Sequence, residues 1–297
     1  MKLKDLYQKH SGKVSQKWSI YLNQYEEKLN HYKKLPIKLL EIGIENGGSL
    51  EIYSKYFPNA EIILGCDKNI NCEKLKYTES NIKVIAGDIK EDATKRKINK
   101  YSKFDIIIDD GSHGSIDIVH TFCSYFNSLK DGGIFIVEDL HCSYWQKWGG
   151  GIFYPLSSIN FFKKIVDILN YEHWGIDQKK NWLLREFSSN YKINLNDLEL
   201  DKMHSVEFVN SLCFIRKKTK EENKLGDIII SGKDAVIYPE IIKPNKQTIK
   251  TPDENKNPWI NKDLLPEEDL VISKNKIKKL EDHISVLLEK VKDLEKN

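Results

Sequence analysis

The chain of 297 residues is poor in several things, and each shortage closes off a class of protein. No apolar run approaches the roughly 18 residues of a membrane span. The start, Met1-Lys2-Leu3-Lys4-Asp5-Leu6-Tyr7, has none of the apolar stretch of a secretory signal. No membrane span and a cytoplasmic location are therefore expected. The five cysteines (66, 72, 123, 142 and 213) contain no Cys-x-x-Cys pair and no Cys/His cluster at zinc spacing. They read as reduced thiols. Charge of one sign is also lacking, since 47 Lys+Arg face 44 Asp+Glu for a net +3. That balance removes the electrostatic pull expected of a nucleic-acid binder. With only 16 Gly and 8 Pro, collagen-like and low-complexity classes are excluded; 6 Trp, 14 Tyr and 11 Phe exclude wholesale disorder.

What the chain does have is a series of short apolar runs, each stopped by glycine or acid. Ile37 to Ile42 stops at Gly43, and Ile62-Ile63-Leu64 leads into Gly65-Cys66-Asp67. Ile82 to Ala86 leads into Gly87-Asp88, Phe104 to Ile108 into Asp109-Asp110-Gly111, and Ile134 to Val137 into Glu138-Asp139. Nearly continuous apolar runs suit strands buried on both faces. Helical stretches over about 48–57, 70–77, 91–99 and 115–129 separate them. The alternation predicts an α/β, doubly wound parallel sheet. A further helix is expected at 157–170, and Ser205 to Val209 with Leu212 to Arg216 reads as a hairpin turning at Asn210-Ser211. Trp18, Tyr21, Leu22 and Tyr25 have helical spacing, so the first 35 residues form a helical cap.

Ligands of open α/β sheets bind beyond the carboxyl ends of the strands, where these acids collect. The first turn, Leu40-Glu41-Ile42-Gly43-Ile44-Glu45-Asn46-Gly47-Gly48-Ser49, is glycine-rich but is not G-x-G-x-x-G, because Glu45 stands at the second glycine's place. Glu41 can accept from an amine, which suits a cationic ligand better than a pyrophosphate. S-adenosylmethionine (SAM) carries an amine and a sulfonium and fits. Asp67 is positioned for ribose hydroxyls and Asp88 for the adenine side. With Gly43, Ser49, Gly87 and Asp109 they make up the candidate cofactor-binding set. Asp110, Glu138 and Asp139 sit at two neighbouring strand ends and can converge on one hard divalent cation, Mg²⁺ or Mn²⁺. His113, three residues on from Asp110, is the candidate base for a hydroxyl proton. Beyond them, 142–156 combines Tyr144, Trp145, Trp148, Gly149-Gly150-Gly151 and Tyr154, which reads as a mobile active-site loop. His141, Tyr144 and Trp145 are candidate substrate residues, and Trp145, Trp148 and Tyr154 offer ring faces on which a substrate could stack.

The order LLEIGxxxGGSL, GCD, AGD, DIIIDDGSH and LKDGGIFIVEDLHCSYW resembles class I SAM-dependent methyltransferases. Within them it is most similar to the metal-dependent macrolide-sugar O-methyltransferases of mycinamicin and macrocin type, over about residues 5–216. The resemblance implies a mostly parallel, Rossmann-like seven-stranded sheet. It also implies Asp110, Glu138 and Asp139 as metal ligands, His113 as base, and an N-terminal Tyr-rich segment that helps cover the cofactor. It points to methylation of a sugar hydroxyl on a nucleotide sugar, a surface polysaccharide or a glycosylated natural product. A nicotinamide-dependent oxidoreductase and a non-catalytic tethered scaffold are the alternatives.

The expected organisation is a cap at 1–35, a methyltransferase domain at 36–216, a Lys-rich linker at 217–265 with one short ordered piece at 228–237, and a coiled-coil helix at 266–297. In the last, Leu270, Ile277, Ile284 and Val291 fall seven apart, while Leu280, Leu287 and Leu294 fill the second core position and Ser273 breaks it. β-Branched residues at one position with Leu at the other favour a parallel two-stranded coiled coil. The expected partners are thus a small-molecule or glycan acceptor and a second copy of the chain.

Overall fold

The computed structural model describes residues 1–242, 251–257, 260 and 266–294. Parts of the expected linker (243–250, 258–259 and 261–265), the last three residues and the side chains of Leu270 and Leu294 lie outside the described residues. Seven strands form one sheet: β1 (Lys38–Ile42), β2 (Ile62–Asp67), β3 (Ile82–Ala86), β4 (Phe104–Asp109), β5 (Leu129–Val137), β6 (Met203–Val209) and β7 (Leu212–Lys217). Their order is β3-β2-β1-β4-β5-β7-β6, and only the final hairpin strand β7 runs antiparallel to its neighbours. The expected mostly parallel, seven-stranded α/β sheet is present.

The strands are buried on both faces, which is why they read as unbroken apolar runs. Alternate residues serve two layers. Leu40, Ile107, Phe135 and Val137 face one side, against α4 (Asp92–Asn99), α5 (Ser115–Tyr125), α6 (Ser158–Leu169) and α7 (Arg185–Tyr191). Leu39, Ile106, Ile108 and Ile136 face the other, against α1 (Leu3–Lys9), α2 (Ser19–Leu29) and α3 (Gly48–Tyr56). Tyr21, Leu22, Tyr25 and Leu29 form the buried face of α2, at the spacing the sequence shows. Tyr32, just after α2, donates its hydroxyl to the Gly132 carbonyl at 2.7 Å and ties the N-terminal helices to β5.

Register carries the function. Ile42 lies opposite Asp109, and Asp109 opposite Val137. Gly43, Asp110 and Glu138 therefore follow side by side just past three strand tips. β1 and β4 are also where the strand order reverses, the place at which open α/β sheets take their ligands.

Several expectations change. The helix expected at 70–77 is only a 3₁₀ turn, Ile70–Lys74. β5 starts earlier, at Leu129, because Gly133 lets it pass the Asp105 carbonyl; a Cβ there would come 2.9 Å from that oxygen. The ordered piece expected at 228–237 has no regular structure, since residues such as Ile229 (93% exposed) find nothing to pack on. Beyond the gap, 251–257 is pinned to the 172–177 loop, with Glu254 N donating to the Gly175 carbonyl at 2.8 Å. The final helix α8 (Pro266–Leu294) carries Ile277, Leu280, Ile284, Leu287 and Val291 exposed. No helix among the described residues is long and apolar enough to cross a membrane.

Candidate active site

Two adjoining cavities open above the tips of β1, β4 and β5. The larger, about 450 Å³, runs from Gly43 over Asp67, Gly87, Asp88 and Asp109 to His113 and Trp148. The other, about 350 Å³, lies between Gly43, Ser49, Asp110, His113, Glu138 and Asp139 on one side and residues 14–18 and Tyr21 on the other. Both fall within the ~300–1,000 Å³ usual for small-molecule sites. Gly43 is what lets them meet. Its φ is +83°, and a Cβ there would stand 2.1 Å from the Asp110 carbonyl oxygen, so any side chain would block the junction of β1 with β4.

The cofactor candidates occupy unequal places. Asp67 Oδ2 accepts from the Ile44 and Glu45 amides at 2.9 and 3.1 Å, which fixes the glycine turn, its Oδ1 accepts from Asn69 N at 2.9 Å, and the residue lines the larger cavity. Asp88 Oδ1 accepts from Lys90 N at 2.9 Å on the same wall. Ser49 lines the smaller cavity and donates to Glu41, which is fully buried and lines neither. Burial pushes the Glu41 carboxyl up to about 7, against the pull of Lys17. Asp109 is also buried. One of its oxygens accepts from Gly111 N at 3.3 Å and the other has no hydrogen-bond partner.

Around the acids the backbone is strained in a telling way. His113 and Asp139 both sit in the left-handed region, at φ +57° and +51°. For non-glycine residues that costs about 1–3 kcal/mol each, and it concentrates at functional positions. The strain aims the two side chains at each other, with His113 Nε2 3.5 Å from Asp139 Oδ2 and 4.0 Å from Asp110 Oδ1. Ligand atoms of Asp110, His113 and Asp139 all lie within 4.8 Å of one another, a grouping able to hold a metal ion. Glu138 is turned differently. Its Oε1 accepts from Tyr25 at 2.5 Å and from Lys17 Nζ at 2.7 Å, and Lys17 also donates to Asp110 Oδ2 at 2.5 Å. Asp110 and Glu138 thus converge on one cation already, and Asp139 joins them through His113.

Three carboxyls (Glu41, Asp110 and Glu138) surround this single ammonium, with Glu41 3.5 Å from it. Burial alone would lower the Lys17 ammonium, but Glu138 and Asp110 outweigh it and hold the group well above its ordinary range. Burial pushes the Glu138 carboxyl up and the Lys17 ammonium beside it pulls it back down. The acids outnumber the cation among them, and their hard oxygen donors suit Mg²⁺ or Mn²⁺. The residues present fit such an ion.

The substrate candidates flank Asp139. His141 is bonded to Ser211 and stacks edge-on against Trp145 at 4.9 Å. Trp148 stands edge-on to His113 at 6.0 Å. Tyr144 and Trp145 are exposed, whereas Tyr154 is half-buried against the sheet's first layer. The loop's glycines are pinned by backbone: Gly151 N donates to the Ser143 carbonyl at 2.9 Å, and a Cβ on Gly150 would meet that oxygen at 2.0 Å.

Sequence reasoning missed the contribution of the N-terminal segment to the acids. Trp18 Nε1 donates to Asp139 Oδ1 at 3.1 Å, and Tyr21 donates to the same oxygen at 2.7 Å. Lys17, Trp18, Tyr21 and Tyr25 all reach the strand tips. The signal lay in the hydroxyl- and N–H-bearing side chains of the helical cap, whose polar tips the helical spacing alone does not assign to a partner.

In structural comparison, the MycE methyltransferase of the mycinamycin biosynthetic pathway, solved with Mg, S-adenosylhomocysteine (SAH) and mycinamycin VI, superposes with a TM-score of 0.61. The alignment covers 75% of this chain and 55% of that one at 21% identity. The fold is that of a class I methyltransferase. No family model matches the chain. By sequence it is 28% identical over 196 residues to mycinamicin VI 2''-O-methyltransferase of Micromonospora griseorubida, covering 62% of this chain and 46% of that protein. It is 30% identical over 171 residues to 8-demethyl-8-alpha-L-rhamnosyl tetracenomycin-C 2'-O-methyltransferase of Streptomyces olivaceus, covering 54% and 44%. Demethylmacrocin O-methyltransferase of Streptomyces fradiae matches at 29% over 191 residues, covering 60% and 47%. The resemblance drawn from the motifs is borne out. The methyltransferase-like chain nevertheless spans less than half the length of these curated relatives.

The buried Asp109 has a measurable consequence. Burial pushes its carboxyl from 3.8 up to about 8. A carboxyl raised in the native state stabilises only while protonated, so stability falls as pH climbs from about 4 to about 8, by at most ~1.4 kcal/mol per pH unit. Urea midpoints of wild type should drop relative to Asp109→Asn as pH rises from about 5 to about 8. Parallel pH curves for the two would show the carboxyl ionised throughout.

Proposed function

We propose that the chain is a SAM-dependent, divalent-metal-assisted O-methyltransferase acting on a sugar hydroxyl of a nucleotide sugar, a surface polysaccharide or a glycosylated natural product. The observation that carries the reading is the convergence of Asp110, His113 and Asp139 at one end of a cofactor-sized cleft. In this reading Gly43, Ser49, Asp67, Gly87, Asp88 and Asp109 line or brace the SAM cleft, with Glu41 acting from beneath through Ser49. Asp110, Asp139 and Glu138 hold the ion. A divalent ion supplies the positive charge that makes a hydroxyl near it easier to deprotonate.

His113 is the base. Its Nε2 faces the junction of the two cavities, where a hydroxyl proton would pass to it. SAM bound in the cleft would supply the methyl group: its carbon–sulfur bond would break as the acceptor oxygen bonds to the methyl carbon, the freed electron pair neutralising the sulfonium. SAH and the imidazolium remain. Holding the hydroxyl in line with the methyl group is the larger share of the work. Trp145, His141 and Tyr144, with Trp18 facing His141 at 6.4 Å, offer apolar ring faces and hydrogen-bonding edges for a pyranose. Glu45, in a left-handed conformation at φ +44°, stands where a pyrophosphate would need a glycine, which disfavours the nicotinamide alternative.

We also assign α8 to a parallel coiled coil with a second copy, supported by its exposed stripe of Ile277, Leu280, Ile284, Leu287 and Val291. We further assign 1–35 to a helical cap, 36–216 to the methyltransferase domain, 217–265 to a Lys-rich linker and 266–297 to the tail. Five free cysteines suit a reducing cytoplasm.

His113→Ala should lower kcat by about 10²–10⁴, the usual worth of a general base, while SAM affinity measured by calorimetry stays unchanged. EDTA should abolish methyl transfer to a sugar acceptor from labelled SAM, and added Mg²⁺ or Mn²⁺ should restore it; full turnover in EDTA would remove the ion from the reaction. Deleting residues 266–297 should halve the mass measured by light scattering. Equal masses for both forms would refute the coiled-coil dimer.

A further inference from the structure

Lys17 is buried more deeply than a surface lysine has reason to be. Its side chain is 2% exposed, and its Nζ lies 2.5 Å from Asp110 Oδ2, 2.7 Å from Glu138 Oε1 and 3.5 Å from Glu41 Oε1. Two of these three carboxylates are proposed ligands of the divalent ion. Carboxylate oxygens bind Mg²⁺ at ~2.0–2.1 Å, so an ion using the same oxygens would stand within a few ångströms of the ammonium. Like charges that close, in a buried site, repel strongly because little water screens them. The two cations compete for one place.

Lys17 sits on a segment whose movement would unravel no helix or strand. Residues 10–18 between α1 and α2 contain no helix or strand. The segment lies along the smaller cavity, tied near its ends: Lys13 N and Nζ donate to Glu51 at 3.0 and 2.6 Å, Val14 O accepts from Gly48 N at 3.2 Å, the Ser15 and Tyr7 hydroxyls bond at 3.3 Å, and Trp18 bonds to Asp139, so that Lys17 itself is held by the acids alone. Gly48 is a glycine for this reason, since a Cβ there would meet the Lys13 carbonyl at 2.0 Å. Trp18, the next residue, holds Asp139 Oδ1, so neighbouring side chains of one segment clasp two different acids of the cluster.

We propose that Lys17 is the resident cation of the divalent-ion site: it neutralises Asp110 and Glu138 in the ion-free protein and is expelled when the ion enters, carrying the segment around it away from the cavity. Ion loading and rearrangement of the cavity wall are then one event. Lys17 also sets the ion affinity, because every ion bound must displace it. This rests on the metal reading above and deepens it.

Two measurements test the exchange. In the wild-type full chain, acetylation by an N-hydroxysuccinimide ester, read by mass spectrometry, should leave Lys17 protected in EDTA. With saturating Mn²⁺, Lys17 should be modified at least tenfold faster, whereas the buried Lys217, which donates to the Leu129 carbonyl at 2.9 Å away from the site, stays protected in both. Mn²⁺ titration followed by electron paramagnetic resonance should show Lys17→Met binding the ion at least tenfold more tightly than wild type. Mn²⁺ bound with Lys17 still protected overturns the exchange alone and leaves the metal reading standing. Equal or weaker binding by Lys17→Met, with wild type binding normally, also overturns it. Absence of Mn²⁺ binding in both proteins overturns the metal reading and the exchange together.

Discussion

The rest of this structure depends on keeping several carboxyl groups together, out of water, at the tips of three adjacent parallel strands. The register that sets Ile42 beside Asp109 and Asp109 beside Val137 leaves no choice about it. Glu41, Asp109, Asp110, Glu138 and Asp139 come to one end of the sheet, and Glu41 and Glu138 are at most 1% exposed. Buried like charges are tolerated only when cations and hydrogen bonds meet them. Each neighbour of the cluster answers that need: the Ser49 hydroxyl on Glu41, the Tyr25 hydroxyl on Glu138, the Trp18 and Tyr21 donors on Asp139, and the Lys17 ammonium in the middle.

This explains why the N-terminal helices pack where they do. A helix that only had to cover the sheet would present leucine and isoleucine. The buried face of α2 presents Tyr21 and Tyr25, residues with an apolar body for the core layer and a polar tip for the acids. The same segment supplies Trp18 to the wall facing His141 and Trp145. The smaller cavity, the acid cluster and the His141–Trp145 face therefore share one boundary, and a change in one is felt by the others.

Much of the fold could be read directly because doubly buried strands leave an unmistakable trace. Five apolar runs closed by glycine or acid gave the parallel strands to within a few residues, and the hairpin at 203–217 completed the seven. Less legible were features whose cause is far away in sequence. The turn at 70–74 lacks the length for an α-helix, and the early start of β5 depends on Gly133 slipping past Asp105. The apolar residues of 228–237 suggested order because composition alone does not reveal whether a packing partner exists.

For the site, the sequence alone determined which chemical groups stand at the strand ends. Strand interiors buried on both faces disfavour charge, so Asp110, Glu138, Asp139 and His113 lie just beyond them, and the glycine turn before Ser49 marked the end at which the cavities open. Tertiary structure decided how those groups are divided. It gave Glu138 to Lys17 and Tyr25, set Asp139 against His113 through two left-handed backbones, and sank Glu41 beneath Ser49. Those partners lie up to 121 residues away along the chain. No local spacing encodes such a pairing; it follows from packing two helices over the sheet and from the need to satisfy every buried charge.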